Sequence, residues 1–389
     1  MSSAGALWFA VQDDVFSSAC IDTPATIVSA TRDKHPSQSS TTTSNVTSDS
    51  ERHSLLDRFD DSFLLQNFHL SRQCLRFIID YMHSRLKKDI YAASNSLMST
   101  EARSLAAVYF HANGSLTNLI TERLEIDLNE AREAVKTLTK LLSDTSPDFI
   151  TFPSSYNDRM GAAHVFKNVS GIPHVVGVLG YFHVQVTPPP GQEQMFVNTL
   201  GYHSAMMQVI FDLDGNILSL EQCCPGGTPE HSVWASTVIG KQFTTFQHGH
   251  SWVLGGRGLF GGGHVLTPIM DPSIKTKAVK RFNKAHALVY GHVQQVFGAL
   301  KSRFQCLRDI GSFQTLKSVA YTVKACCVLH NISKKFSVPL PCNCILEPIH
   351  PPSSAVTSTA ELPYDYMEDT KNEMIEMFFG HAEGHEDDD

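Results

Sequence analysis

The sequence contains no apolar run long enough to cross a lipid bilayer. None of its segments approaches the roughly 18 uninterrupted apolar residues that a membrane-spanning helix needs. At the N-terminus no basic residues precede the apolar ones, and acids follow soon after, so we expect no signal peptide. These absences predict a protein of the nucleus or the cytoplasm that has no membrane partner.

Cysteine pairs with the C-x-x-C spacing of many zinc sites are also absent. The nine cysteines are an odd number, and they fit a reducing compartment better than a disulfide framework. A zinc site could be drawn from Cys223, Cys224, His231, His248 and His250, but no paired spacing supports it. We therefore expect the chain to fold without disulfide bonds or a structural metal.

Basic residues are scarce near the C-terminal end. Residues 361–389 contain eleven acids and one lysine, a net charge of −10, whereas the whole chain has −8. The other 360 residues therefore carry +2, which is −8 minus −10. The acidity of the chain consequently argues only weakly against nucleic-acid contact by its folded part. One interpretation of the acidic segment is a solvated end. The alternative is a segment that docks on a partner or shields a basic face of the protein.

Composition and periodicity divide the chain into four parts. Residues 1–52 include a polar low-complexity stretch and are predicted to be disordered. Residues 53–150 have helical periodicity and predict a small all-α domain, whereas residues 151–335 combine strand-like runs with long helices. Residues 336–389 contain prolines and acids and are predicted to be a disordered tail.

The helical part suggests a helix-turn-helix unit. A short helix at residues 116–123 precedes a longer amphipathic one at 130–142, for which Asp127 or Asn129 is a plausible N-cap. Arg132 and Lys136 of the longer helix are candidates for nucleic-acid contact. Two acids in its first turn would repel phosphates, so a structural bundle is the favoured alternative.

The second half of the chain predicts an α/β sheet layered by helices. Strand-like runs occur at residues 175–186, 204–211, 217–223 and 252–254. The sequence Asp214-Gly215-Asn216 predicts a hairpin turn between the second and third of these runs. Long helices are predicted at residues 277–304 and 313–333.

Several short motifs occur in a characteristic order. They are G-Y-H-S at 201–204, P-G at 225–226, L-T-P at 266–268, F-N-x-A-H at 282–286, F-G-x-L-K-x-R-F-x-C-L at 297–307 and A-C-C-V-L-H-N-I at 325–332. Together they resemble Harbinger-type DDE transposases and their domesticated nuclease relatives over residues 60–335. The resemblance implies an RNase H-like mixed sheet flanked by helices, preceded by the small helix-turn-helix-like domain. It also implies two divalent metal ions, Mg²⁺ or Mn²⁺, held by three carboxylates.

The three carboxylates of that family are replaced in this sequence. The first position, in the run L-G-Y-F-H, is Gly180, and the second, in L-G-G-R-G-L, is Gly256. Gln294 occupies the helix position of the third, three residues before the F-G block. Leu288 and Tyr290 stand where the family has arginines. The resemblance therefore predicts that the catalytic site is lost and that no metal cofactor is bound.

Two alternatives remain open at this stage. Other acids, namely Asp212, Glu221 and Glu230, could form a displaced site for Mg²⁺ or Mn²⁺. A basic cluster in the helix before the F-G block is either a solvated helix face or a patch that binds DNA phosphates; its members are Lys275, Lys277, Lys280, Arg281 and Lys284.

The leading hypothesis is a catalytically inactive, nuclear, transposase-derived protein that acts as a binding or scaffold protein. The resemblance implies a protein partner, a Myb-like or SANT DNA-binding protein, and leaves DNA as a second candidate ligand. The alternatives are a metal-dependent nuclease that uses displaced acids and a DNA-binding module without catalysis.

Overall fold

The structure is a computed structural model that describes residues 54–86, 100–257, 264–270, 276–310, 315–341, 344–351 and 366–380. The predicted disordered segment 1–52 and the candidate Lys275 lie outside these residues. Within the described part, no helix is both long and apolar enough to span a membrane.

Helices make up the N-terminal part of the described chain. After a 3-10 turn at Leu55–Arg58 come α1 (Asp61–Phe68), α2 (Arg72–Leu86), α3 (Thr100–Asn113), α4 (Asn118–Leu124) and α5 (Leu128–Asp144). The side chain of Asp127 accepts a hydrogen bond from the backbone N–H of Asn129, which confirms the predicted N-cap of α5. Helix α5 buries one apolar face against α3, as its helical periodicity predicts.

A mixed sheet of five strands forms the centre of the second half. The strands are β1 (Val175–Gln185), β2 (Ser204–Phe211), β3 (Ile217–Pro225), β4 (Trp252–Leu254) and β5 (Val265–Leu266), in the order β3-β2-β1-β4-β5. Neighbouring strands among β1, β2 and β3 are antiparallel, whereas β4 is parallel to β1 and to β5. Strand β1 is central, and nearly all of its residues are buried, as expected for a strand covered on both faces.

The turn between β2 and β3 forms as predicted. Gly215 adopts a positive φ of 83°, which glycine tolerates without strain. The Asp212 carboxylate accepts hydrogen bonds from the backbone and side-chain nitrogens of Asn216, both at 2.8 Å. These contacts close the hairpin.

Helices flank the sheet. They are α6 (Tyr156–Ser170), α7 (Glu193–Phe196), α8 (Glu230–Ser236), α9 (Val238–Thr244), α10 (Lys277–Tyr290), α11 (His292–Arg303), α12 (Leu316–Lys335) and α13 (Tyr366–Phe379), with 3-10 turns at Ser146–Asp148 and Gln305–Leu307. The single helix predicted over residues 277–304 is wrong, because the chain breaks into α10 and α11 at Gly291. Glycine weakens a helix interior since it has the greatest backbone freedom to lose. Helix α6 and strand β5 were not predicted.

The helical part and the sheet share one hydrophobic core. The contacts group His53–Asp389 into a single compact unit, and one cluster of buried side chains extends through both parts. The boundary predicted at residue 150 therefore separates a helical part from a sheet-containing part of one unit. Arg303, at the end of α11, connects them by donating hydrogen bonds to the carbonyls of His69, Val338 and Pro339.

The prediction that residues 336–389 are a disordered tail is wrong for two segments. Residues 344–351 lie along α11, where the backbone N–H of Glu347 donates to the carbonyl of Gln294 at 3.1 Å. Helix α13 packs against α10 and buries Met374, Ile375 and Phe379. These apolar residues recur at helical spacing between the acids, so they can form one buried face despite the high net charge.

Candidate catalytic site and basic surface

Gly180 lies within β1, whereas Gly256 follows the end of the neighbouring strand β4. Strands β1 and β4 are parallel and pair Val178 with Leu254, so Gly180 lies two residues further along β1 and Gly256 two residues beyond the last residue of β4.

Helix α11 covers Gly180 and also carries Gln294. A Cβ atom at position 180 would lie 2.8 Å from Cζ of Phe297 and 3.4 Å from Cγ1 of Val293. Gln294 follows Val293 directly on this helix. Positions 180 and 294 thus lie on two elements that are in contact, strand β1 and helix α11.

Aromatic rings fill the space beside both glycines. A Cβ atom at Gly256 would lie 2.5 Å from the hydroxyl oxygen of Tyr290, closer than real Cβ contacts come. The Phe297 ring beside Gly180 packs edge-on against Phe182 and Phe211, with ring centroids 5.1 and 6.1 Å apart. A carboxylate at either position would therefore displace a ring.

The residues at this place do not fit a pair of divalent metal ions. Mg²⁺ and Mn²⁺ require hard anionic oxygen ligands, and the three positions offer two hydrogens and a neutral amide. Arg257, which is exposed, adds a positive charge next to Gly256. In the part of the chain that the structure describes, no group of three or more His, Cys, Asp or Glu side chains is arranged to hold a metal ion.

The three displaced-acid candidates lie on different elements and have different surroundings. Asp212 closes the hairpin between β2 and β3. Glu221 accepts hydrogen bonds from the backbone N–H groups of Val238 and Ile239, at 2.7 and 3.1 Å, and so caps the start of α9. Glu230 begins α8. Two of the three carboxylates therefore already satisfy backbone donors.

Among the three candidate acids, Glu230 has a shifted pKa. Burial raises the pKa of its carboxyl to about 7. The hydroxyl of Tyr181 donates to the backbone carbonyl of Glu230 at 2.9 Å. Burial, and then the charge of Glu230, raise the pKa values of both Tyr181 and Tyr290. Glu230 is thus close to the ring that fills position 256, in surroundings that disfavour its charged form.

We expect Glu230→Gln to stabilise the protein at pH 8 and to have little effect at pH 4. A carboxyl whose pKa is raised on folding stabilises the fold below its unfolded pKa of about 4.3 and loses that contribution as the pH rises through about 7. One pKa unit corresponds to about 1.4 kcal/mol, so a gain of about 2 kcal/mol at pH 8 is expected after allowance for solvent screening. Urea unfolding at both pH values measures it, and an equal effect at pH 4 and pH 8 contradicts the explanation.

Two residues of the F-N-x-A-H motif, Asn283 and His286, make structural hydrogen bonds. Asn283 donates to the carbonyl of Ile269 and accepts from its N–H, at 2.8 and 2.9 Å. The Nε2 atom of His286 lies 3.0 Å from the carbonyl of Gly255 and 3.1 Å from that of Leu266. These bonds hold the ends of β4 and β5 against α10.

Helix α10 carries an exposed basic face. It consists of Lys277, Lys280, Arg281 and Lys284, which recur at helical spacing on the side opposite the buried residues of the helix. Among the described residues, none of the four forms an ion pair. Arg281 donates a hydrogen bond to the carbonyl of Phe379 at 3.0 Å. This face, called the basic face below, carries four positive charges that no ion pair in the described part of the chain compensates.

The two basic candidates in the helical part lie on a different helix. On α5, Lys136 pairs with Glu133 at 2.7 Å, and Arg132 makes a long contact of 3.5 Å with the side chain of Asn129. Helix α5 packs against α3 and α12, whereas α10 packs against α6 and α13. The positive charge of Lys136 is therefore partly compensated, and a DNA-binding helix-turn-helix stays a prediction.

The sheet-containing part of the chain matches a known family model. Residues 179–331 match the family described as DDE superfamily endonuclease. The mixed sheet flanked by helices confirms the predicted RNase H-like fold class.

Over a longer stretch the chain is similar to proteins named "Putative nuclease HARBI1". It is 27% identical to that of Bos taurus over 323 residues, which cover 81% of this chain and 89% of the relative. It is 28% identical to that of Homo sapiens over 288 residues, 72% of this chain and 81% of the relative. No solved structure matches the chain. The similarity confirms the resemblance to Harbinger transposase-derived nucleases.

Sequence reasoning missed two features of this region. Tyr290 was recognised only as a replacement for an arginine, and its place beside Gly256 follows from the packing of α10 on the sheet. Helix α13 was missed because its acids concealed the helical spacing of Met374, Ile375 and Phe379.

Proposed function

We propose that this chain is a catalytically inactive member of the transposase-derived nuclease family, which acts in the nucleus as a binding or scaffold protein. The observation that carries the proposal is the filling of two acid positions by rings, Tyr290 beside Gly256 and Phe297 beside Gly180. A fold that has only lost its acids would leave a cleft at this place. Here side chains of the protein occupy it.

The chemistry of the family supports the same conclusion. Two-metal cleavage of a phosphodiester needs both ions to stabilise the attacking and leaving oxygens. Without carboxylates the ions have no anionic ligands, and Gln294 supplies only a neutral amide. The relatives carry the word nuclease in their names, and we propose that this chain does not share that activity.

The basic face of α10 supports a role in binding. Exposed lysines without acid partners attract phosphates or an acidic protein surface. A Myb-like or SANT DNA-binding protein is the partner that the family resemblance suggests, and direct DNA binding without catalysis is the second candidate function.

Nicking of supercoiled plasmid in the presence of Mg²⁺ or Mn²⁺ tests the loss of catalysis. We expect no metal-dependent nicking by the natural chain above that of a buffer control, with a metal-dependent endonuclease as the positive control. Glu230→Gln and Asp212→Asn are the matched variants. Metal-dependent nicking by the natural chain that either variant abolishes overturns the proposal and assigns a displaced site.

A further inference from the structure

Helix α13 ends beside Arg281, one member of the basic face. The ring of Phe379 packs against Phe282 with centroids 5.9 Å apart, and its backbone carbonyl accepts the hydrogen bond from Arg281. The buried side chains of Met374 and Ile375 fix the helix in this place. The last turn of α13 is therefore held beside Arg281, which lies between Lys280 and Lys284 in the sequence of α10.

The residues that follow are strongly acidic. Residues 381–389 contain five acids and no lysine or arginine, and they begin one residue after Gly380. The basic face carries four positive charges. It extends over eight residues of helix, and its first and last residues are about 10 Å apart along the axis at roughly 1.5 Å per residue. Nine residues span up to about 30 Å when extended, so the acidic residues can reach every lysine of that face.

We propose that residues 381–389 dock on the basic face of α10 and mask it from nucleic acid. Attachment at Phe379 holds the acids at an effective concentration in the millimolar range, which favours an intramolecular contact that would be weak between separate molecules. Double-stranded DNA has a higher density of negative charge and competes for the same lysines. The inference does not depend on the loss of catalysis.

Binding of a short DNA duplex, measured by fluorescence anisotropy at low salt, tests the masking. In the test variant the five acids become amides: Glu383→Gln, Glu386→Gln, Asp387→Asn, Asp388→Asn and Asp389→Asn. We expect this variant to bind the duplex roughly tenfold more tightly than the natural chain, with a difference that shrinks as salt rises. An unchanged affinity overturns the masking.

A second background separates docking from general repulsion between the acidic segment and DNA. In a chain with Lys280→Gln and Lys284→Gln, neutralising the five acids is expected to change the affinity less than twofold. If neutralising the acids raises the affinity for DNA tenfold in this background as well, the acids act through the net charge of the protein. That result overturns docking on the basic face.

Zero-length carbodiimide crosslinking of the intact chain gives a direct measurement of the contact. We expect crosslinks from the acids of residues 381–389 to Lys280 and Lys284, which salt suppresses. Lys241, an exposed lysine on α9, is the matched control. Crosslinks to Lys241 at the same frequency overturn the proposal, whatever the DNA measurement gives.

Discussion

Replacement of Arg303 by leucine is expected to lower the free energy of unfolding by about 4 kcal/mol. The side chain is 1% exposed, and its guanidinium donates to the carbonyls of His69, Val338 and Pro339, the last two at 3.0 Å. Hydrogen bonds from a charged donor contribute about 1.5–3 kcal/mol each, and buried acceptors left without a donor cost further free energy. Leucine fills part of the volume and supplies no donor.

The backbone around Arg303 makes this position harder to replace. Nδ1 of His69 lies 2.7 Å from the Arg303 carbonyl, so the two residues are joined in both directions. His69 has a left-handed backbone with φ of 55° at the end of α1, where a helix has unsatisfied carbonyls. Loss of Arg303 therefore weakens the connection between the helical part, the sheet and residues 338–339 at once.

Chemical denaturation followed by circular dichroism measures the effect. Arg308→Leu is the matched control, because Arg308 is exposed and, among the described residues, its side chain donates one hydrogen bond, of 3.3 Å, to the carbonyl of Lys301. We expect the control to cost less than about 1 kcal/mol. Equal stability of the two variants contradicts the role assigned to Arg303.

Restoration of the family acids is expected to destabilise the protein in the absence of metal by at least about 3 kcal/mol. The variant carries Gly180→Asp, Gly256→Asp and Gln294→Glu. New Cβ atoms would lie 2.8 Å from Phe297 and 2.5 Å from Tyr290, and overpacking of this kind costs about 1–3 kcal/mol at each site. Carboxylates placed close together in a partly buried region also repel one another.

Thermal melts with and without Mg²⁺ measure this effect, and single variants separate its causes. Gly180→Ala and Gly256→Ala report the steric cost without the charge. Gly161→Asp is the control, because a Cβ atom at Gly161 on α6 has no atom within 4 Å, and we expect it to change stability little. A higher melting temperature of the triple variant without metal would show that the rings leave room for the acids.

The natural replacements are consistent with a stable fold that has no metal. Hydrogen at positions 180 and 256 lets Phe297 and Tyr290 approach the sheet, and a neutral amide at 294 removes the third charge. The same packing leaves no room for a carboxylate at position 180 or 256 unless a ring moves.

Local sequence determined the elements with strong, continuous patterns. Strands β2 and β4 begin and end at the predicted residues, because each is a short apolar run bounded by turn or loop residues. The hairpin at Gly215 and the cap at Asp127 were likewise predicted, since a turn and an N-cap depend on a few neighbouring residues.

The sequence by itself also predicted that Gly180, Gly256 and Gln294 stand at the acid positions of the family that it resembles, because motifs on both sides of them set the alignment. Only the tertiary structure decided that the rings of Tyr290 and Phe297 lie beside positions 256 and 180 and that α13 ends beside Arg281. The physical reason is that these contacts join residues far apart in the chain. Periodicity shows which face of a helix is buried, whereas the neighbour it meets depends on how all the elements pack together.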